Sequence, residues 1–510
     1  MELLNVNIPS WSDMGNWLPE AVLCAGFLVA LLGDMLVKGR KPAVPFVISV
    51  FALVASGSYA VASLTDPGLG AGFSIMGDLV VVDGLAAFFR ILFIFAGLAT
   101  VLFAWTSEEI MGAKRENKGE FYALTLLLTA AMMVMAEARD ILMLFLSMEA
   151  VGLVSYVMAG YMRTSLRSTE ASLKYVIFGA VSSAIMLYGL SLLYGMTGAM
   201  DFAGIRAALV AGPVNPFGLL VVTVLVIAGM SYKIAAVPFH FWCPDIYEGA
   251  PTPVSAIFSV GPKAAGFALM IRFFYTTLAA GPDAAASVGI IEVINWPLLI
   301  AVISAVTMTY GNLVALRQNN VKRMLAFSSI AHVGYLLMGF VLLTPAGLQA
   351  ILFYLLVYTL MNLGAFFYVV AINNHLKSEE LEDYVGLGFR APWAGAMMVV
   401  FLASLTGIPP FAGFIGKFYL FTAVLDKEWF WLAIVAALNS VVGLYYYFKV
   451  VKALFLTSPA ADADTSPLKL HWLQYAVLAV LAIPTLVFGL YWGPLKDMAD
   501  IAIATMTVGF

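Results

Sequence analysis

Fourteen apolar stretches follow one another along this chain, separated by short polar connections: 17–37, 43–63, 79–104, 121–137, 140–161, 172–197, 215–237, 252–276, 290–316, 323–342, 346–372, 392–425 (interrupted), 429–455 and 472–492. Each is close to the roughly 20 residues a helix needs to cross a bilayer core. In lipid every backbone polar group must be satisfied within the protein, which a helix achieves unaided. The expected fold is an all-α polytopic membrane protein with about 14 transmembrane helices. Charge is scarce: 11% of residues, against 62% hydrophobic, whereas soluble chains carry about 25% charged residues. A net charge of −4 gives no basic footprint for nucleic acid. Cys24 and Cys243 lie in separate apolar contexts and form no CxxC, which argues against a disulfide framework, a zinc site or an iron–sulfur cluster. The start, MELLNVNIPSWSDMGNW, is acidic and lacks a basic n-region, so the first span is expected to be retained.

Loop charge orients the spans, numbered 1–14 in chain order. With both termini outside, fifteen Lys and Arg, among them Lys38, Arg40, Lys41, Lys114 and Arg115, fall in cytoplasmic loops and four fall outside. That asymmetry is the positive-inside pattern. The longest connections, 105–120, 376–391 and 456–471, are too short for an independent core. The chain divides into spans 1–3 (1–120), a first five-span block (121–276), a second (290–455) and span 14 with the tail (456–510).

Seven basic residues lie inside spans. Lys174, Arg272 and Lys449 are near span ends and can snorkel. Arg90 has Asp83 two turns away as a candidate partner. Lys233, Lys263 and Lys417 are deeper, and each sits beside proline. Proline removes the hydrogen bond to the carbonyl four residues earlier. Pro262 therefore frees Phe258, Pro238 frees Ile234, and Pro409 with Pro410 frees Leu405 and Thr406. Broken helices next to ionisable groups build midplane sites in transporters; the blander reading is a lysine held by a carbonyl as a static strut. Glu149 is mid-span with no basic residue within one turn, so it needs a partner from another helix or remains a neutral, hydrogen-bonded acid. His332, among Ser328, Ser329 and Tyr335, suits a proton relay. Glu20, Asp34 and His240 are expected to be interfacial, Glu137 and Asp140 to occupy a turn, and His375 and His471 to be solvated. Gly68, Gly70 and Gly72 form a loose run without the GxGxxG pattern, and no metal cluster or nucleophile–base pair is apparent.

Spans 4–8 and 9–13 match as two blocks of five. Each breaks its fourth helix, at Pro238 in span 7 and at Pro409–Pro410 in span 12, beside a buried lysine. Each carries a titratable group on its second helix, Glu149 or His332. An odd number of spans makes this an inverted repeat.

The stretches LFLSMEAVGLVSYVMAGYMRTSLRSTEASLKYVIFGA, SYKIAAVPFHFWCPDIYEGAPTPVSAIFSVGPKAAGF, GNLVALRQNNVKRMLAFSSIAHVGY and GIPPFAGFIGKF resemble the antiporter-like, proton-translocating membrane subunits of respiratory complex I, NADH–quinone oxidoreductase. EASLKYVIFGA and SLLYGMTG look most like the subunit N branch. The resemblance implies that Glu149 pairs with Lys233, that Lys263 is the central lysine, that His332 is the span 10 polar position, and that Lys417 faces the exit. It also implies that NADH, FMN, iron–sulfur clusters and quinone belong to partner subunits, with no cofactor in this chain, and that the chain sits in a bacterial inner membrane among related antiporter-like subunits. The expected mechanism is a relay from Lys233 through Lys263 and His332 to Lys417, with water filling the gaps. When Glu149 moves away, Lys233 can no longer hold its charge against desolvation. Alternatives are a subunit of a multisubunit cation/proton antiporter or a related membrane hydrogenase complex, or a structural spacer with static charge pairs.

Overall fold

The computed structural model describes residues 15–36, 42–65, 73–75, 78–113, 118–212, 215–278, 294–459 and 465–506. The chain termini, the basic residues Lys38, Arg40, Lys41, Lys114 and Arg115, the glycines 68, 70 and 72, and the first residues of the expected span 9 lie outside them. Among the described residues, thirteen helices are long and apolar enough to cross a membrane. The expected span 12 is divided into two 15-residue halves, Pro392–Thr406 and Ala412–Asp426, each shorter than those thirteen.

Local chemistry sets where the helices begin. Asp140 accepts from the Leu142 amide at the start of span 5, Ile141–Ala159. Asn215 caps span 7, Pro216–Ile234, with proline at its first position. Asn320 accepts from the Arg323 amide to open span 10, Val321–Phe340, and Thr344 precedes Pro345 in span 11, Pro345–Leu376. Short polar side chains at the cap satisfy amides that have no intrahelical acceptor, and proline at N1 loses nothing there.

Three elements differ from expectation. Residues 80–82 form a strand paired antiparallel with Phe73–Ile75, so span 3 begins only at Gly84, after the Asp83 cap. Span 6 extends to 32 residues, Leu166–Thr197, which puts Lys174 two turns inside it. Two further helices, Phe202–Ala211 and Gly493–Ala504, follow spans 6 and 14.

Span 8, Thr252–Thr277, is buried along its whole apolar window, and spans 10 and 11 are nearly so. Spans 1 (Leu18–Leu36) and 2 (Ala43–Thr65) bury only a third or less of their residues. The centre is therefore built from the helices that carry Lys263 and His332.

Buried ion pairs correct several expectations. Asp83 does not partner Arg90; it takes both ends of Arg272, at 2.6 and 2.5 Å, and Arg272 is buried, not snorkelling. Arg90 instead meets Glu20 of span 1 and Glu137 of span 4 (Lys118–Glu137), all fully buried. Glu20 is thus not interfacial, because spans 3 and 4 cover it. His240 is also buried, its ring 4.4 Å from that of Tyr310. Lys174 and Lys449 keep partly wet positions, Lys174 pairing with Glu170 and Asp245 and Lys449 donating to Asn319.

Candidate functional site

Glu149 stands in the middle of span 5 and is half-buried; its Oε1 accepts from the Ser183 hydroxyl of span 6. Lys233, in the last turn of span 7, donates to the Met148 carbonyl at 3.0 Å, one residue before Glu149. Glu149 and Lys233 make no direct ion pair; each takes a neutral partner instead. Span 7 stops at Ile234, and the Ala235 amide closes the helix on the Ser231 and Tyr232 carbonyls. This end lies against span 8 at Gly266, where a Cβ would come within 2.6 Å of Ile234 Cγ2.

After the break the chain forms a short helix, Trp242–Gly249, anchored by Trp242 Nε1 donating to the Tyr232 carbonyl at 2.9 Å. Its next residue, Cys243, lies 3.6 Å from Lys263 Nζ. One turn further on, Tyr247 donates to the Phe258 carbonyl at 2.8 Å, which is the carbonyl Pro262 frees. The freed acceptor is thus satisfied inside the protein, as the bilayer requires. The Tyr247 ring also stands 5.3 Å from the Lys263 ammonium.

Lys263 donates to the Ser329 hydroxyl at 2.5 Å, and Tyr358 of span 11 donates to the same oxygen at 2.8 Å. One turn along span 10, His332 has both ring nitrogens on hydroxyls: Nδ1 on Tyr354 at 2.7 Å and Nε2 on Tyr447 at 3.1 Å. Tyr447, from span 13 (Phe430–Phe455), also bonds Ser328. The His332 ring lies 5.0 Å from the Tyr358 ring and 5.9 Å from the Tyr335 ring. An imidazole with a hydroxyl on each nitrogen can take a proton at one side and release it at the other.

Lys417 belongs to the second half of span 12, but its ammonium turns back to the first half. It donates to the Thr406 carbonyl at 2.8 Å and to Ser440 at 3.3 Å, over the Tyr335 ring at 4.7 Å. Thr406 is one of the carbonyls released by the paired prolines. The ammonium therefore sits at the carbonyl end of a half-helix, where the dipole is negative and favours a cation. Gly407, at φ +87°, makes that return possible: a Cβ there would fall 2.9 Å from Lys417 Cδ. Tyr335 continues into a knot of Asn312, Asn439 and Tyr446.

All five expected residues lie among the described helices, but they form separate segments. Lys263, Ser329 and Tyr358 are one; Tyr354, His332, Tyr447 and Ser328 are the next; Lys417, Ser440 and Tyr335 are the third. Glu149 and Lys233 lie apart from these. Tyr354, Tyr358, Tyr447, Tyr247, Asn312, Asn439 and Ser440 are not among the residues expected from the sequence, and Cys243 is expected there only as an isolated cysteine. Polar residues one turn apart within an apolar span, as at Tyr354 and Tyr358, carry that signal.

Next to span 7's break, Arg167, Glu170, Lys174, Asp245, Glu248 and Arg323 line a cavity of about 230 Å³. Asp245 accepts from Lys174 and Arg323, each at 2.8 Å. Burial works to raise its carboxyl, but those two donors outweigh it and hold Asp245 below the usual carboxylate range. Among the described residues, no group of three His, Cys, Asp or Glu could hold a metal ion.

The sequence profile of the family described as NADH:quinone oxidoreductase/Mrp antiporter, TM, matches residues 138–443. The chain is 42% identical over 487 residues to NADH-quinone oxidoreductase subunit N 2 of Chloroherpeton thalassium, covering 95% of this chain and 93% of that one. It is 43% identical over 494 residues to subunit N of Chlorobium chlorochromatii, covering 96% and 94%. A chain of respiratory complex I from Thermus thermophilus with bound aureothin superposes with a TM-score of 0.75 at 29% identity, covering 94% of this chain and 98% of its own. A chain of the Mrp complex from Dietzia sp. DQ12-45-1b shares the fold, with a TM-score of 0.82 at 23% identity over 96% and 97%.

Proposed function

Because the chain belongs to the antiporter-like membrane subunits of NADH–quinone oxidoreductase, in the subunit N branch, we propose that it moves protons through the segments built around Lys263, His332 and Lys417, driven by redox chemistry elsewhere in the complex. One observation carries this: a buried histidine bonded by hydroxyls at both nitrogens stands between two buried lysines, each of which is held by neutral groups instead of a carboxylate. A lysine in a buried salt bridge is locked in its charged form, whereas one held by a hydroxyl or a carbonyl has no countercharge to leave behind when it deprotonates.

Glu149 supplies the control. Turned to Ser183 it leaves Lys233 on a carbonyl; turned to Lys233 it holds the ammonium charged. A neighbouring subunit that moves Glu149 between these partners shifts the proton on Lys233 toward or away from Lys263. Water completes the path between the segments, and the charged cavity beside Asp245 is its mouth on the expected cytoplasmic side. NADH, FMN, iron–sulfur clusters and quinone are handled by partner subunits, among them related antiporter-like ones. The two five-span blocks are inverted repeats, both termini face outward, and the setting is a bacterial inner membrane.

Replacing Glu149 with Gln keeps the shape and removes the charge, so it should leave the complex assembled and slow NADH-driven quinone reduction several-fold. Lys233→Ala should do the same, and Lys233→Arg should not restore the rate, since arginine does not release its proton. Assembled Glu149→Gln complex turning over at the wild-type rate would remove Glu149 from the mechanism.

A further inference from the structure

The buried charges of spans 1, 3 and 4 take no part in the relay, and their count does not balance. Glu20 Oε1 lies 2.7 Å from Arg90 Nε, and Glu137 Oε1 lies 2.9 Å from the same nitrogen. Both carboxyls also crowd Nη2, Glu20 Oε2 at 2.9 Å and Glu137 Oε1 at 2.8 Å, with the Asn16 carbonyl at 3.3 Å. Nε carries one hydrogen for two acceptors. On the other side of the guanidinium, buried Nη1 finds no acceptor among the described residues. One edge of one arginine is therefore shared by two carboxyls.

Among the described residues, the surroundings supply no second cation. Trp17 Nε1 donates to Glu137 Oε2 at 3.3 Å, and Cys24 is the next titratable group along span 1 from Glu20. Arg272 reaches the Ala136 carbonyl, one residue before Glu137, but its charge is spent on Asp83. Two buried carboxyls thus face the one guanidinium of Arg90. An excess negative charge, fully buried, is costly, and a proton placed between two carboxyls on one donor edge removes it.

We propose that Glu20 and Glu137 share one proton against Arg90, making this cluster a buried one-proton site separate from the lysine relay. It lies where the chain leaves span 4 and enters spans 1 and 3, so a proton gained or lost there changes the charge that joins the first three spans to the first block. Like charges this close cannot both ionise cheaply.

Infrared spectra of the full chain in membranes test this at neutral pH. Wild type minus Glu20→Gln, and wild type minus Glu137→Gln, should each show the carbonyl stretch of one protonated carboxylic acid, shifted in D2O. Each variant keeps one carboxylate against Arg90, needs no proton, and should assemble as the wild type does. A band that survives both substitutions overturns the proposal. So does loss of assembly in either single variant, because a two-carboxylate ionic cluster depends on both partners and a proton-sharing pair does not.

Discussion

Lys417→Met should cut proton pumping by roughly 10²-fold, the lower end of what one positioned proton-transfer group contributes. Quinone reduction should fall with it, because a blocked exit leaves the redox step driving a stalled relay. Position within the break explains the size of the effect. The ammonium joins the Thr406 carbonyl to Ser440 and to the Tyr335 ring, so its loss removes the only charged group that described residues place in the third segment. Methionine fills the volume and leaves the Thr406 carbonyl without that donor. Lys417→Arg separates charge from proton release: arginine can hold the carbonyl, but it keeps its proton, and it should be about as damaging. Its longer planar head must also fit beside Gly407, where the space is already set by Lys417 Cδ. Pumping and turnover measured on the same membrane preparation check both variants. A Lys417→Met complex with normal pumping would make this lysine a strut for the broken helix.

Arg272→Met should destabilise the subunit by about 3–5 kcal/mol, the usual cost of removing one partner of a buried pair. Arg272 binds both Asp83 oxygens and the Ala136 carbonyl, linking span 8 to the start of span 3 and the end of span 4. Asp83 also caps span 3 by accepting from the Ala86 amide at 3.0 Å, so the lost countercharge strains a helix start. The amount of subunit retained in assembled complex after mild heating measures the effect. Adding Asp83→Asn should recover much of it, since an amide still caps the helix and leaves no buried charge to balance. Equal loss in the single and double variants would show that packing, and not charge, is what Arg272 provides.

Span lengths were legible because a bilayer imposes them, and the interruption of span 12 was legible because two adjacent prolines cannot continue a helix. Residues 79–83 were misjudged for a physical reason: a short run of valines has no periodicity that separates a buried strand from a helix. Partners across helices were harder. Asp83 is the near neighbour of Arg90 in sequence, yet three-dimensional packing gives Arg90 two acids from spans 1 and 4 and gives Asp83 to span 8. Proline chemistry transferred well in two of three cases, since the carbonyls of Phe258 and Thr406 were found taken by Tyr247 and Lys417. Tyrosines 354, 358 and 447 stayed hidden because an aromatic residue in an apolar span looks like packing until its hydroxyl is seen on His332 or Ser329.

Lys263 stands between the short helix after span 7 and Ser329 of span 10, one turn from His332, so its replacement bears on whether buried side chains carry the proton at all. The direct measurement is proton translocation recorded together with NADH oxidation in vesicles containing assembled complex, wild type against Lys263→Met. A relay through Ser329 and His332 predicts that translocation and turnover fall together, with assembly unchanged. Assembled Lys263→Met complex that still pumps at the wild-type ratio of protons to NADH, at the wild-type rate, would contradict it.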